Sequence, residues 1–162
     1  TEVSFLGYPD GRLTASLAVR RDITREIRRV RPDRVLCPSP ERDYDRIRAS
    51  HPDHLAAGEA AMCAVYPDAR NPYAYPELLE QEGLEPFEVG EVWMMAGRSP
   101  DRFVDITARI DAKIAALWCH RTQISAPDEI SQMIREWALH NGEVAGLPAG
   151  TMAEAFQFVD TH

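Results

Sequence analysis

The chain has 162 residues, enough for one domain with its own core. Hydrophobic residues make up 44% and charged residues 27%, and 18 Lys and Arg against 26 Asp and Glu leave a formal net charge of −8. That balance argues against nonspecific nucleic-acid binding and against an anionic membrane surface as partner, and no apolar run of about 18 residues offers a membrane span.

The opening stretch, Thr1 to Gly7, lacks the basic and long apolar regions of a signal peptide, and the chain does not begin with Met. Val3-Ser4-Phe5-Leu6 reads as a buried strand already in progress, so further chain is expected upstream. A turn cluster, Gly7-Tyr8-Pro9-Asp10-Gly11, follows. Over about residues 14–30, Leu17, Ile23, Ile27 and Val30 recur near helical spacing, with Arg20, Arg21, Arg25, Arg28 and Arg29 between them. In an acidic chain this arginine run is expected to be a solvated helix face. Pro32 stops the helix, and Arg34-Val35-Leu36-Cys37 forms a second strand ended by Pro38 and Pro40. Strand, helix and strand make a βαβ unit with parallel pairing. Ligands gather at the carboxyl ends of such strands, which directs attention to loops 7–13 and 38–54.

The second loop carries Glu41, Arg42, Asp43, Tyr44, Asp45, Arg46 and Arg48, then Ser50-His51-Pro52-Asp53-His54, and opens a small-residue helix reaching Val65. Pro52 suits an early helical position and Asp53 the first turn. Residues 66–86 are punctuated by prolines and read as a long irregular connection. Tyr66, Tyr73 and Tyr75 there either line a substrate-facing wall or pin the segment to the body. Phe87–Met95 reads as a strand. A helix over 107–120 is expected to bury Ile110, Ile114, Leu117 and Trp118. A last helix, about 127–140, ends at Asn141-Gly142 as a C-cap. With no repeat, low-complexity tract or P-loop, and even composition, the expectation is a single domain over 1–162.

Three cysteines, Cys37, Cys63 and Cys119, are widely spaced and odd in number, which argues against a disulfide framework and for a reducing cytoplasm. Cys37 reads as a small buried hydrophobe, since no base adjoins it. The distinctive feature is His51-Pro52-Asp53-His54, with two imidazoles and a carboxylate within four residues at the expected mouth of the sheet. The i, i+3 spacing puts His51 and His54 on one side of a helix starting at Pro52. Imidazole ligates zinc and titrates near neutral pH, and a neighbouring carboxylate can orient it. A helix cap with two exposed histidines is an equally good reading of the same residues.

The string Arg42-x-Tyr44, followed by His51-Pro52-Asp53-His54-x-x-x-Gly58-x-x-Ala61, resembles the zinc-dependent LmbE-like (PIG-L superfamily) deacetylases, the superfamily of N-acetylglucosaminyl-phosphatidylinositol de-N-acetylase. Phe5-Leu6-Gly7-Tyr8-Pro9-Asp10-Gly11 is similar to the segment that precedes that family's second half. Glu91-Val92-Trp93, Val104-Asp105-Ile106-Thr107, Lys113-x-x-Ala116-Leu117 and His120-x-x-Gln123 follow in the family's order, so the likeness covers about residues 3–124. It implies an α/β, three-layer Rossmann-like fold with a mostly parallel sheet, the first βα unit lying outside this chain. It also implies hydrolysis of the N-acetyl group of an N-acetylglucosamine-containing small molecule by water bound to one zinc ion, or to another divalent transition metal. On this resemblance His54 is the metal ligand. His51 sits beside the substrate carbonyl as a cation, meeting the oxyanion or protonating the leaving amine. Asp53 orients His51 and holds its charge, and Arg42 and Asp10 belong to the substrate pocket, with Tyr44 a neighbour only.

A catalytic zinc takes three protein ligands. The family draws two, with its general base, from an upstream His-Pro-Asp-Asp motif, and this sequence has only the His-Pro-Asp at 51–53. The expected partner is therefore the N-terminal portion of the same protein. Two alternatives stand beside it: a non-catalytic, sugar-binding relative, and a different metal site built from His51, His54 and His120. The substrate's aglycone is not readable, and a homo-oligomer stays open.

Overall fold

Val3–Leu6 is the first departure from expectation. In the computed structural model, which describes residues 2–162, this segment is irregular and solvent-exposed, Phe5 to 91%. An apolar run becomes a strand only when a neighbour takes its backbone N–H and C=O groups, and no strand pairs with it among the described residues. Thr1 lies outside the described residues.

The structure is mixed α/β and divides into two compact units. The first runs to Ser99 and includes Gln157–His162; the second is Pro100–Phe156. The first unit begins with helix α1, Leu17–Val30. Ser16 caps it by accepting the Val19 N–H, and Arg31 ends it in the left-handed region at φ 53°. Val19, Thr24, Ile27 and Arg28 form its buried face.

Arg29 lies on the solvated face that composition suggests, but Arg20, Arg25 and Arg28 do not simply face solvent. Arg20 grips the Asp68 carboxylate with two bonds of 2.9 and 2.8 Å. Arg25 binds Glu82, and Arg29 binds Glu26. Arg28 is 2% exposed and donates to the carbonyls of Asp68, Ala69, Asn71 and Ala74. Residues 66–86 bury Ala69 and Leu78, and α1 adds charge-assisted hydrogen bonds to the segment. That segment includes part of a wide helical turn, Ala64–Asp68, and a short helix α3, Pro76–Glu80. Tyr75 joins the clamp, its hydroxyl donating to Asp68, whereas Tyr66 and Tyr73 are exposed.

Strand β1, Arg34–Pro38, pairs in parallel with β2, Glu91–Met95, in a register running from Arg34 opposite Glu91 to Pro38 opposite Met95. Helix α2, Pro52–Cys63, and α3 lie between them in sequence. The parallel βαβ unit is thus β1–α2–β2, not the expected pairing of Val3–Leu6 with residues 34–37. Ile27, Cys37, Ala61, Val65, Val89 and Val92 are among the residues of the core between α1, α2 and this pair. Gly58 is what lets α2 come close: a Cβ there would lie 2.3 Å from the Pro38 carbonyl oxygen and 2.9 Å from the Pro40 nitrogen.

The second unit holds β3, Arg102–Asp105, α4, Ile110–Trp118, and α5, Pro127–Val144, with the first residues of β4, Ala153–Asp160. β3 and β4 pair antiparallel, from Arg102 opposite Phe156 to Asp105 opposite Ala153. The strand order is β1-β2-β4-β3. Neither β3 nor β4 was expected, because Val104-Asp105-Ile106-Thr107 also reads as a helix start and β4 lacks clean apolar–polar alternation. Ile110, Ile114 and Ala138 form the small core of this unit. Two expectations are corrected here. Trp118 is 46% exposed rather than buried. Asn141-Gly142 does not cap α5, which runs on to Val144. Gly142 is buried inside the helix, where a Cβ would lie 2.0 Å from the Thr151 carbonyl oxygen. Among the described residues no helix is long and apolar enough to cross a membrane.

Candidate active site

The carboxyl ends of β1 and β2 open into a hollow of about 270 Å³ lined by Pro38, Ser39, Glu41, Asp43, Ser50, His54, Met95 and Ala96. The Ser39 N–H donates to the Met95 carbonyl at 2.9 Å, extending the ladder into the floor. The loop above is stapled at its base. The Asp43 N–H donates to Ser50 Oγ at 2.8 Å, and the Ser50 hydroxyl donates back to the Asp43 carbonyl at 3.3 Å. The Asp43 carboxylate accepts from the Asp45 and Arg46 N–H groups and from Arg46 Nε. The Arg46 guanidinium, aided by those amides, holds the Asp43 carboxyl below the usual carboxylate range.

The chain then enters α2 through His51, whose ring is the helix cap. Its Nδ1 accepts the Asp53 N–H at 3.2 Å. An Nδ1 that accepts carries no proton, so the neutral ring has its N–H at Nε2. His54 lies one turn on, and the two rings stand 5.4 Å apart, centroid to centroid, at 49°. Both histidines are exposed.

Asp53 reaches His51 through its backbone. Its carboxylate faces elsewhere, accepting the Gly11 N–H at 2.6 Å and the Leu13 N–H at 3.2 Å. At the other side of that turn the Tyr8 hydroxyl donates to Asp22 on α1 at 2.7 Å. Asp10 is therefore carried on a turn tied down on both sides, beside the start of α2. Arg42 donates to the Ser50 carbonyl at 3.3 Å. The structure thus gathers Asp10, Arg42, His51, Asp53 and His54 around the ends of loops 7–13 and 38–54, with only His54 lining the hollow.

Glu41, Asp43 and Ser50 were missed as site residues. Loop charge alone did not separate them from their neighbours, although a Ser seven residues after an Asp is a spacing that a loop staple can use. Cys37 is buried under this region, and burial pushes its thiol up to about 11, which removes it as a nucleophile.

Among the described residues no three His, Cys, Asp or Glu side chains converge as a metal site. These residues alone do not fit a catalytic zinc, which takes three protein ligands.

A model of the PIG-L family, described as GlcNAc-PI de-N-acetylase, matches residues 1–65. Diacetylchitobiose deacetylase of Thermococcus kodakarensis is 29% identical over 162 residues, covering 98% of this chain and 57% of that protein. The 1D-myo-inositol 2-acetamido-2-deoxy-alpha-D-glucopyranoside deacetylase of Rhodococcus erythropolis is 32% identical over 143 residues, covering 73% of this chain and 46% of that protein. The solved structure of N,N'-diacetylchitobiose deacetylase from Pyrococcus horikoshii, complexed with an inhibitor, superposes with a TM-score of 0.86 at 28% identity, over 99% of this chain and 58% of that one. The chain spans about half the length of the curated relatives it matches. The motif-bearing residues 1–65 thus match the PIG-L (LmbE-like) family, and the fold is shared with a solved deacetylase over 99% of this chain.

Proposed function

We propose that this chain supplies the substrate-facing part of an N-deacetylase that removes the acetyl group from an N-acetylglucosamine-containing small molecule. The observation that carries this is the pairing of His51 and His54 at the start of α2, His54 lining a hollow at the carboxyl ends of two parallel strands. The names of the two curated relatives, both deacetylases of acetamido sugars, support the substrate class.

In this reading His51 offers Nε2 to the developing oxyanion of the acetyl group, its ring fixed by the Asp53 amide at Nδ1. Asp53 also holds, through Gly11 and Leu13, the turn that presents Asp10 to the sugar. Arg42 binds substrate from the loop rim. His54 is one donor to a zinc ion, and the remaining donors come from a His-Pro-Asp-Asp motif outside residues 1–162, carried by the N-terminal portion of the same protein. Free thiols at Cys37, Cys63 and Cys119 favour a cytoplasmic setting.

Acetate release from an N-acetylglucosamine conjugate, measured on protein that includes the upstream motif, tests this. His51→Ala is expected to lower the rate by about 100- to 1,000-fold, the usual loss of one oxyanion donor, with metal content unchanged. His54→Ala is expected to lose both metal and activity. Normal turnover by both variants overturns the assignment. The incomplete donor set favours a second reading, a non-catalytic sugar-binding relative. Calorimetric saccharide binding in the presence of a chelator, without turnover by the wild type, would select it.

A further inference from the structure

We propose that Trp118, in the second unit, is a saccharide-stacking platform, an oligosaccharide contact additional to the hollow at His54. The choice of ligand rests on the amino-sugar reading above. The indole stands at the end of α4, 46% exposed. Its N–H donates to Ser131 Oγ at 3.1 Å, and the Ser131 hydroxyl donates to the Pro127 carbonyl at 2.6 Å. This relay consumes the ring's one polar group and fixes its plane, which leaves the ring surface for apolar contact.

Two hollows meet at this ring. One, of about 540 Å³, is lined by Ile114, Asp128, Gln132 and Arg135, among others. The other, of about 300 Å³, is lined by Arg121, Ile124 and Pro127. A pyranose presents a C–H face bordered by hydroxyls. It matches an indole surface ringed by planar polar side chains. Arg135 is already paired with Asp111, and Gln132 with Glu136 at 2.7 Å, so their positions are set. Among the described residues Asp128 and Arg121 make no ion pair or side-chain hydrogen bond, and they are available to accept from and donate to sugar hydroxyls. A packed protein partner fits less well, because it would desolvate Asp111, Asp128, Arg121 and Arg135 together.

The indole N–H resonances of the ¹⁵N-labelled chain, titrated with N,N'-diacetylchitobiose and tri-N-acetylchitotriose, test this. The Trp118 resonance is expected to shift saturably while that of Trp93 stays in place. Asp128→Asn, an exposed change that spares the fold, is expected to weaken binding several-fold. Calorimetric titration with the same sugars, which does not depend on the indole resonance, is expected to show Trp118→Ala binding about tenfold or more weaker, and Asp128→Asn decides should the Trp118 variant not fold. His54→Ala is expected to leave the Trp118 titration unchanged. A platform that persists while acetate release fails therefore overturns only the deacetylase reading. A Trp118 resonance unmoved by about 10 mM of either sugar, or moving only with protein concentration as in self-association, overturns the platform whatever the deacetylase assay gives.

Discussion

His51 and Asp53 show how much a four-residue motif leaves open. The residue types at 51–54 mark a candidate site and allow a helix cap, which the His51 ring makes two residues away at the Asp53 N–H, yet nothing in them says that both Asp53 oxygens serve the backbone at Gly11 and Leu13. Those two contacts join residues 40 and 42 apart in sequence, and only chain packing selects them. Cys37 is the contrasting case, since its apolar neighbours in sequence already point to burial. With its thiol pushed up to about 11 by desolvation, Cys37 stays protonated at pH 8. Native alkylation at that pH is expected to label exposed Cys119 readily and Cys37 only after unfolding. Peptide mapping after timed iodoacetamide treatment checks this, and early labelling of Cys37 would contradict the burial.

At the scale of elements, α1 and α2 were legible from periodicity, capping residues and the prolines on either side. The role of the α1 arginines was not. Helical spacing shows which residues share a face but not that a partner segment of carboxylates and backbone carbonyls lies over it. Arg28 is the strongest test. Its guanidinium is buried on four carbonyls of residues 68–74; truncation takes a charged donor from each, and the carbonyls of Asp68, Ala69 and Asn71 keep only a backbone N–H. Arg28→Ala is expected to cost about 3 kcal/mol or more, lowering the melting temperature by about 6–12 °C, with Arg28→Lys recovering only part. A shift within about 1 °C, read by calorimetry, would show that the clamp adds nothing. The strands divide the same way. β1 and β2 were found because parallel, buried strands carry apolar runs. β3 is four residues long with charges at both ends, and its strand character comes from pairing with β4.

For the whole molecule, the lowered carboxyls set how stability depends on pH. Four carboxyls are held below their ordinary values. At Asp22 burial pushes upward but is outweighed by the Tyr8 hydroxyl with Arg21 and Arg25. Glu82 is lowered by Arg25, Asp43 by Arg46, and Asp105 by the Thr107 hydroxyl and N–H. Each binds fewer protons folded than unfolded above its lowered value, so its contribution is complete above the ordinary carboxylate range near pH 4 and drains as pH falls through the folded values. The urea midpoint is therefore expected to be nearly flat from about pH 8 to 5 and to fall below about pH 4. A midpoint that rises on acidification would contradict this set of contacts.

The sequence by itself determined the family resemblance, the α/β class, the two helices that frame the candidate site and the positions of its histidines, because these depend on local periodicity and on residue types at fixed spacing. Tertiary structure decided what crosses those spacings. Val3–Leu6 goes unpaired although it is apolar, since a strand needs a neighbour's hydrogen bonds. Gly58 admits α2 to the end of β1, and Gly142 lets α5 meet Thr151, because only a missing Cβ allows such approaches. Trp118 faces solvent although its spacing marks a core position, because the small core of its unit is already filled by Ile110, Ile114 and Ala138.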